Sequence, residues 1–170
     1  MHGDMDPTEQ PARRLGCVAF IRNQEGDVLM VKPKCKHADK RLGWQLPGGN
    51  AHKGEHIADA AVREVKEETG LTLPITHYLC VDQVPESEDG TSAEGINFVC
   101  DGGQLSAEEA ADVTLPDAAR SELAAVAWVP MSRLDYFAHA YQVRRIHNAA
   151  QALAWGKRLP LYVLGEPATA

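Results

Sequence analysis

The sequence is most informative at first for what it lacks. No stretch of the 170 residues is apolar for long enough to cross a bilayer as a helix. Residues 1–14 hold no apolar run of signal-peptide length, so a cytoplasmic location is the expectation. A basic surplus is missing too: the formal net charge is −7, which argues against a DNA or RNA binder that must neutralise a phosphate backbone. Small phosphorylated ligands stay open, because a divalent cation can supply positive charge locally. Cysteine is sparse, and Cys17, Cys35, Cys80 and Cys100 form no Cys-x-x-Cys pair, which excludes a zinc knuckle or a thioredoxin-type motif. Cys17, Cys80 and Cys100 sit in apolar runs and read as small core residues, whereas Cys35-x-His37 reads as polar loop for want of further ligands. There is no internal repeat and no linker.

What is present suits one ordinary domain. Hydrophobic residues make up 44% and charged ones 24%, a globular balance. Residues 1–14 are polar, carry Pro7 and Pro11, and read as a flexible arm before a single domain over 15–165. Strands are predicted at 17–21 and 28–31, joined as a hairpin by the turn 23–27. A basic stretch with Lys32, Lys34, Lys36, Lys40 and Arg41 follows, then an extended piece that breaks at Pro47-Gly48-Gly49. A helix spans 56–69 and stops at Gly70. Further strands are expected at 75–84, at 96–100 with a turn at 101–103, and at 123–130, separated by loops over 85–95 and 106–117. A second helix is predicted over 136–155, then an extended 159–164 and a fraying tail. Mixed strands with two main helices make a layered α/β or α+β domain.

The chemistry concentrates in residues 49–71. At about 100° per residue, Ile57, Ala58, Ala61, Val62, Val65 and Thr69 span an arc of about 140°, a stripe facing the core. Glu64, Glu67 and Glu68 are related by i, i+3 and i+4 and share one face at the edge of that stripe. Three carboxylates at the rim of a core repel one another, and partial burial raises the cost. Arg63 and Lys66 point away from the shared face on the helical wheel. A hard divalent cation, completed by phosphate oxygens, fits better. The alternative is an ordinary solvated glutamate face. The preceding Gly48-Gly49 would let backbone groups approach a ligand closely.

The spacing then becomes specific. Gly49, Glu55, Arg63-Glu64-Val65, Glu67-Glu68 and Gly70-Leu71 resemble a complete Nudix box, with every fixed position matched over 23 residues. The flanks agree: Trp44-Gln45-Leu46-Pro47-Gly48-Gly49 leads into the box, and Ala127-Trp128-Val129-Pro130 resembles the family's closing strand. His52 stands where many relatives carry Glu, outside the fixed pattern. The resemblance implies an α/β fold, an α/β/α sandwich with a mixed sheet. It implies magnesium or manganese bound by Glu64, Glu67 and Glu68, with the Gly48 carbonyl as a further ligand. It also implies a Glu55–Arg63 pair that braces loop against helix. Metal-activated water would attack phosphorus and a carboxylate would take the proton, with Glu64 the residue nearest that role. Because the base varies in the family, Glu86, Glu88, Glu94, Glu108, Glu109 and Glu122 are further candidates.

Substrate choice lies outside the box. Lys32, Lys40 and Arg41 can meet phosphates or form a solvated loop, and Trp44 can stack on a base or pack in the core. Pro85 stands near the spacing seen in ADP-ribose-specific relatives. The arrays of NADH-cleaving and coenzyme A-cleaving relatives are missing. The resemblance therefore implies a pyrophosphohydrolase acting on a nucleoside triphosphate or an ADP-sugar. A nucleotide-sensing Nudix domain and a diphosphatase for a non-nucleotide substrate are the competing readings, and an RNA-decapping enzyme is disfavoured by the charge. A homodimer through the C-terminal helix is a further expectation.

Overall fold

The computed structural model describes residues 13–34, 41–88, 90 and 93–169. Lys36, Lys40, Cys35, His37 and nearly all of the expected arm lie outside them. Among the described residues nine strands and four helices follow in order: β1 Arg14–Arg22, β2 Val28–Pro33, β3 Gly48–Asn50, α1 Ile57–Thr69, β4 His77–Val84, β5 Gly95–Gln104, α2 Ala107–Ala111, β6 Leu123–Val129, α3 Leu134–Phe137, α4 Ala140–Ala154, β7 Leu159–Pro160, β8 Tyr162–Val163 and β9 Glu166–Pro167. Short 3-10 turns sit at Ala118–Ser121 and Met131–Arg133.

The main sheet runs β6-β2-β1-β5-β4-β7 and is mixed, because β1 pairs parallel with β5 while its other partners are antiparallel. β1 shares one edge between two neighbours. Its last residue, Arg22, pairs with Val28 of β2, and its first half pairs with β3 at Cys17↔Gly49 and Val18↔Gly48. That division brings the Gly-Gly turn onto the central strand.

Both faces of the sheet are covered, which explains why β1 and β2 read as continuous apolar runs. The period-2 alternation sorts the side chains: Cys17, Ala19, Ile21 and Leu29 pack with Ala58, Ala61 and Val65 of α1. Phe20, Val28 and Met30 pack with Leu134 and with Val143, Ile146 and Ala149 of α4 on the opposite face. The three layers are the α/β/α sandwich expected.

Several boundaries differ from the sequence reading. Arg14 already belongs to β1, tied by its Nε to the Ala93 carbonyl at 2.8 Å. β4 starts at His77 rather than residue 75, and Ile75 is buried ahead of it. The turn at 101–103 is absent, since β5 runs on to Gln104. A Cβ on Gly102 would lie 2.3 Å from Cγ1 of the buried Ile21, so this glycine serves close strand packing beside an irregularity in the β1–β5 register. The loop 106–117 contains α2, started by a capping box in which Ser106 and Glu109 exchange hydrogen bonds. The helix expected over 136–155 is two, broken where Ala138 turns extended before His139 opens α4. The tail returns as the β8–β9 hairpin, with the Ala168 amide donating to the Leu161 carbonyl at 2.7 Å.

Gly102→Ala should destabilise the protein by about 1–3 kcal/mol, the usual cost of overpacking. Urea denaturation checks it, and an unchanged midpoint would show that Ile21 repacks freely.

Candidate active site

The loop before α1 is shaped around Glu55. Its carboxylate accepts the His52 backbone N–H at 2.7 Å and two bonds from Arg63, Nε at 2.7 Å and Nη2 at 2.9 Å. Those donors, the Arg63 guanidinium first, hold the Glu55 carboxyl down at about 2, against an ordinary value of 4.5. Arg63 Nη2 also reaches the Asn50 carbonyl at 3.2 Å, so one guanidinium joins β3, the loop and α1. His56 caps the helix by backbone conformation without a side-chain bond, and Gly70 ends it at φ 76°.

The helical wheel misplaces Arg63. Its Nη1 donates to Glu64 at 2.8 Å and to Glu67 at 3.2 Å, so it reaches the carboxylate face instead of pointing away. The wheel records Cα directions, and a long stem with a planar fork swings round the helix to its neighbours.

Two glycines make room for the carboxylates. A Cβ on Gly49 would lie 2.5 Å from Glu64 Oε1, so the Glu64 carboxylate rests directly on β3 backbone. Gly48 has φ 139°, and a Cβ there would lie 2.1 Å from the Cys17 carbonyl oxygen. The Gly48 N–H donates to Glu68 Oε2 at 2.7 Å. Burial pushes the Glu68 carboxyl up to about 7 despite that bond, and Glu64, Glu122 and Glu67 add repulsion.

Glu64, Glu67, Glu68 and Glu122 line one cavity of about 730 Å³ together with Arg63 and Lys66. Glu122 just precedes β6 and is the one later-loop candidate found on this wall. Glu94 instead pairs with Arg13 at 2.5 Å, Glu109 is spent in the capping box, and Glu86, Glu88 and Glu108 do not line the cavity. Nothing local in the sequence separates Glu122 from the other five, since the contact of its turn with α1 is made only by the tertiary fold. Arg41 and Trp44 lie elsewhere. Arg41 stacks 5.0 Å from the Tyr136 ring centroid, and Trp44 packs edge-on to Phe137 at 5.9 Å with Lys32 over it.

Among the described residues no three acidic, histidine or cysteine side chains are already gathered as a metal cage. Glu64 and Glu67 are turned to Arg63, and Glu68 to Gly48. The donor chemistry nevertheless fits a hard divalent cation: carboxylate oxygens on one wall, with Glu68 among them, where burial and then the neighbouring carboxylates disfavour an uncompensated negative charge.

A helix bearing this carboxylate row, locked to a Gly-Gly strand by an Arg–Glu pair, defines a class, and the comparisons agree. The sequence model of the NUDIX domain matches residues 12–149, and the chain belongs to the Nudix hydrolase family. It is 34% identical over 119 residues to Nudix hydrolase 2 of Arabidopsis thaliana, covering 70% of this chain and 40% of that protein. It is 32% identical over 133 residues to the putative 8-oxo-dGTP diphosphatase of Bacillus subtilis, covering 78% of this chain and 77% of that one. The chain thus spans about two fifths of the plant protein and most of the bacterial one. Its fold resembles the MutT protein from Methanosarcina mazei Go1, with TM-score 0.65, 25% identity and coverage of 88% of this chain and 99% of the other.

The two shifted carboxyls act oppositely on stability. Glu55 stabilises the fold fully above its ordinary value of 4.5, and that contribution disappears as the pH falls towards 2. Glu68 favours its neutral form in the fold, so metal-free protein should lose stability as the pH rises from 4.5 through about 7. Thermal melts of chelator-treated protein should show Glu68→Gln flattening the upper window and Glu55→Gln flattening the acid one. Identical slopes in wild type and variants would contradict both assignments.

Proposed function

We propose that this chain is a divalent-metal-dependent pyrophosphohydrolase that cleaves the diphosphate of a nucleoside diphosphate-linked substrate, a nucleoside triphosphate or an ADP-sugar. The observation that carries the reading is the cavity lined by Glu64, Glu67, Glu68 and Glu122, in which one guanidinium bonds Glu64 and Glu67 and leaves the repulsion at Glu68 standing. The name of the Bacillus subtilis relative, a putative 8-oxo-dGTP diphosphatase, supports a nucleoside triphosphate.

Glu64, Glu67 and Glu68 would hold magnesium or manganese, with the Gly48 carbonyl as a further oxygen. A bound cation would supply charge neutralisation at the phosphates and a more acidic water. The protein supplies position. Glu64, seated on Gly49 and steered by Arg63, takes the proton from the attacking water; Glu122 faces the same cavity from the β6 side as the alternative acceptor. Glu55 acts one step back, since it fixes Arg63 and through it Glu64 and Glu67. Gly48 and Gly49 let the β3 backbone pack directly against β1 and the Glu64 carboxylate.

Product release from canonical and oxidised nucleoside triphosphates, ADP-ribose and dinucleoside polyphosphates, with and without magnesium, tests the reading. Turnover should require the metal. Glu67→Gln and Glu68→Gln should each lower kcat by about a hundredfold or more, and Glu55→Gln by roughly 10–100-fold. Metal-independent turnover, or full activity in both cavity variants, would overturn it. Tight binding without turnover of any substrate would point to a nucleotide sensor.

A further inference from the structure

Among the described residues, the acidic cavity is lined by two cations beside its carboxylates, Arg63 and Lys66. A guanidinium has five N–H donors and no acceptor. Every one of those donors on Arg63 is engaged inside the protein. Nε and one Nη2 hydrogen go to Glu55, the other Nη2 hydrogen to the Asn50 carbonyl, and the two Nη1 hydrogens to Glu64 and Glu67. Arg63 fixes the carboxylates and has no donor left for a ligand.

Lys66 is the opposite case. Its side chain is exposed, and among the described residues it makes no ion pair and no hydrogen bond. The helix supplies no partner, because the residues three and four positions away are Val62, Arg63, Thr69 and Gly70, none of them acidic. The facing wall supplies none either. It consists of Pro116, Ala118 and Ala119, and it is strapped to the end of α1 by the Thr114 N–H, which donates to the Thr69 carbonyl at 3.3 Å. The basic residues of that wall are engaged within it: Lys34 Nζ donates to the Arg120 carbonyl, and Arg120 Nε pairs with Asp117 at 3.1 Å. Neither Lys34 nor Arg120 lines the cavity. Many surface lysines are unpaired. What sets Lys66 apart is its place in a cavity whose other charges are carboxylates and a fully engaged guanidinium.

We propose that Lys66 receives the terminal phosphate of the substrate, so that the cavity takes a nucleoside triphosphate in preference to a diphosphate capped at both ends, such as an ADP-sugar. The inference rests on the pyrophosphohydrolase reading and deepens it. A terminal phosphate has a second ionisation near pH 6 and carries about −1.5 to −2 charges at neutrality. A capped diphosphate has no such end group. Carboxylates repel that extra charge, and Arg63 has no donor to offer it, which leaves the Lys66 ammonium. An ammonium on a flexible stem binds phosphate as a point charge, without a fixed fork to match, and suits a chain end that rotates freely.

Calorimetric titration with magnesium present tests this without turnover of the bridged ligands. The probes are ATP and ADP-ribose analogues in which a methylene replaces the oxygen between the α and β phosphates, so that base and bridge are shared and only the far end differs. Lys66→Gln should weaken the ATP analogue by about tenfold or more, the usual worth of a charge-assisted contact, and should leave the ADP-ribose analogue and the melting temperature unchanged. Lys66→Arg should restore the ATP analogue. Inorganic tripolyphosphate, which has no base, should follow it. In steady-state kinetics Lys66→Gln should raise KM for a nucleoside triphosphate with little change in kcat. Equal loss for both analogues, no loss for either, or no binding of either triphosphate by the wild type overturns the proposal, even where turnover depends on metal, Glu67 and Glu68. A selective loss in a protein that turns over no substrate retains it and removes the hydrolase reading instead.

Discussion

One guanidinium sets the geometry of this molecule's acidic centre. Arg63 touches Glu55, Glu64, Glu67 and the Asn50 carbonyl, so it pins a loop, a strand and a helix at once. Each of those acids alone would be an unremarked surface group. Held around one fixed, planar cation, they become a directed array with Glu68 beside them at the buried end. The partial burial of Glu64 and Glu68 is tolerable because Arg63 and the Gly48 amide each cancel part of the charge.

The glycines are the second constraint. Gly48 and Gly49 are excluded from carrying side chains by contacts on opposite sides, the Cys17–Val18 backbone for one and the Glu64 carboxylate for the other. β3 is only three residues long, yet its pairing with β1 puts it at the centre of the sheet.

Much of this was legible beforehand. The layered fold, α1 to within a residue and its Gly70 stop followed from periodicity and cap chemistry, and the Glu55–Arg63 brace was implied by the family resemblance. The misses have physical reasons. Gly102-Gly103 looks like a turn because local propensity cannot register that a neighbouring isoleucine leaves no room for a side chain. The Ser106–Glu109 capping box sits in a polar stretch whose composition alone reads as loop. The break at Ala138–His139 falls in a segment with neither glycine nor proline to mark it. Arg63 defeated a wheel that ignores side-chain length, and Glu122 joins the cavity only through a contact between elements distant in sequence.

That last distance governs how the molecule must come together. Glu68 and Glu122 are 54 positions apart (122 − 68), and the parallel β1–β5 register joins Arg14 to Gly95 across 81 (95 − 14). Pairings of this span are made late and slowly, because loop-closure entropy is lost before the contact is gained. The acidic cavity therefore has no local folding unit that could form ahead of the sheet. An emerging chain holds α1 and its glutamates long before it holds the wall they face. Occupancy of the finished cavity thus reports completion of the entire topology, and a ligand that binds there slows global unfolding rather than the fraying of one helix.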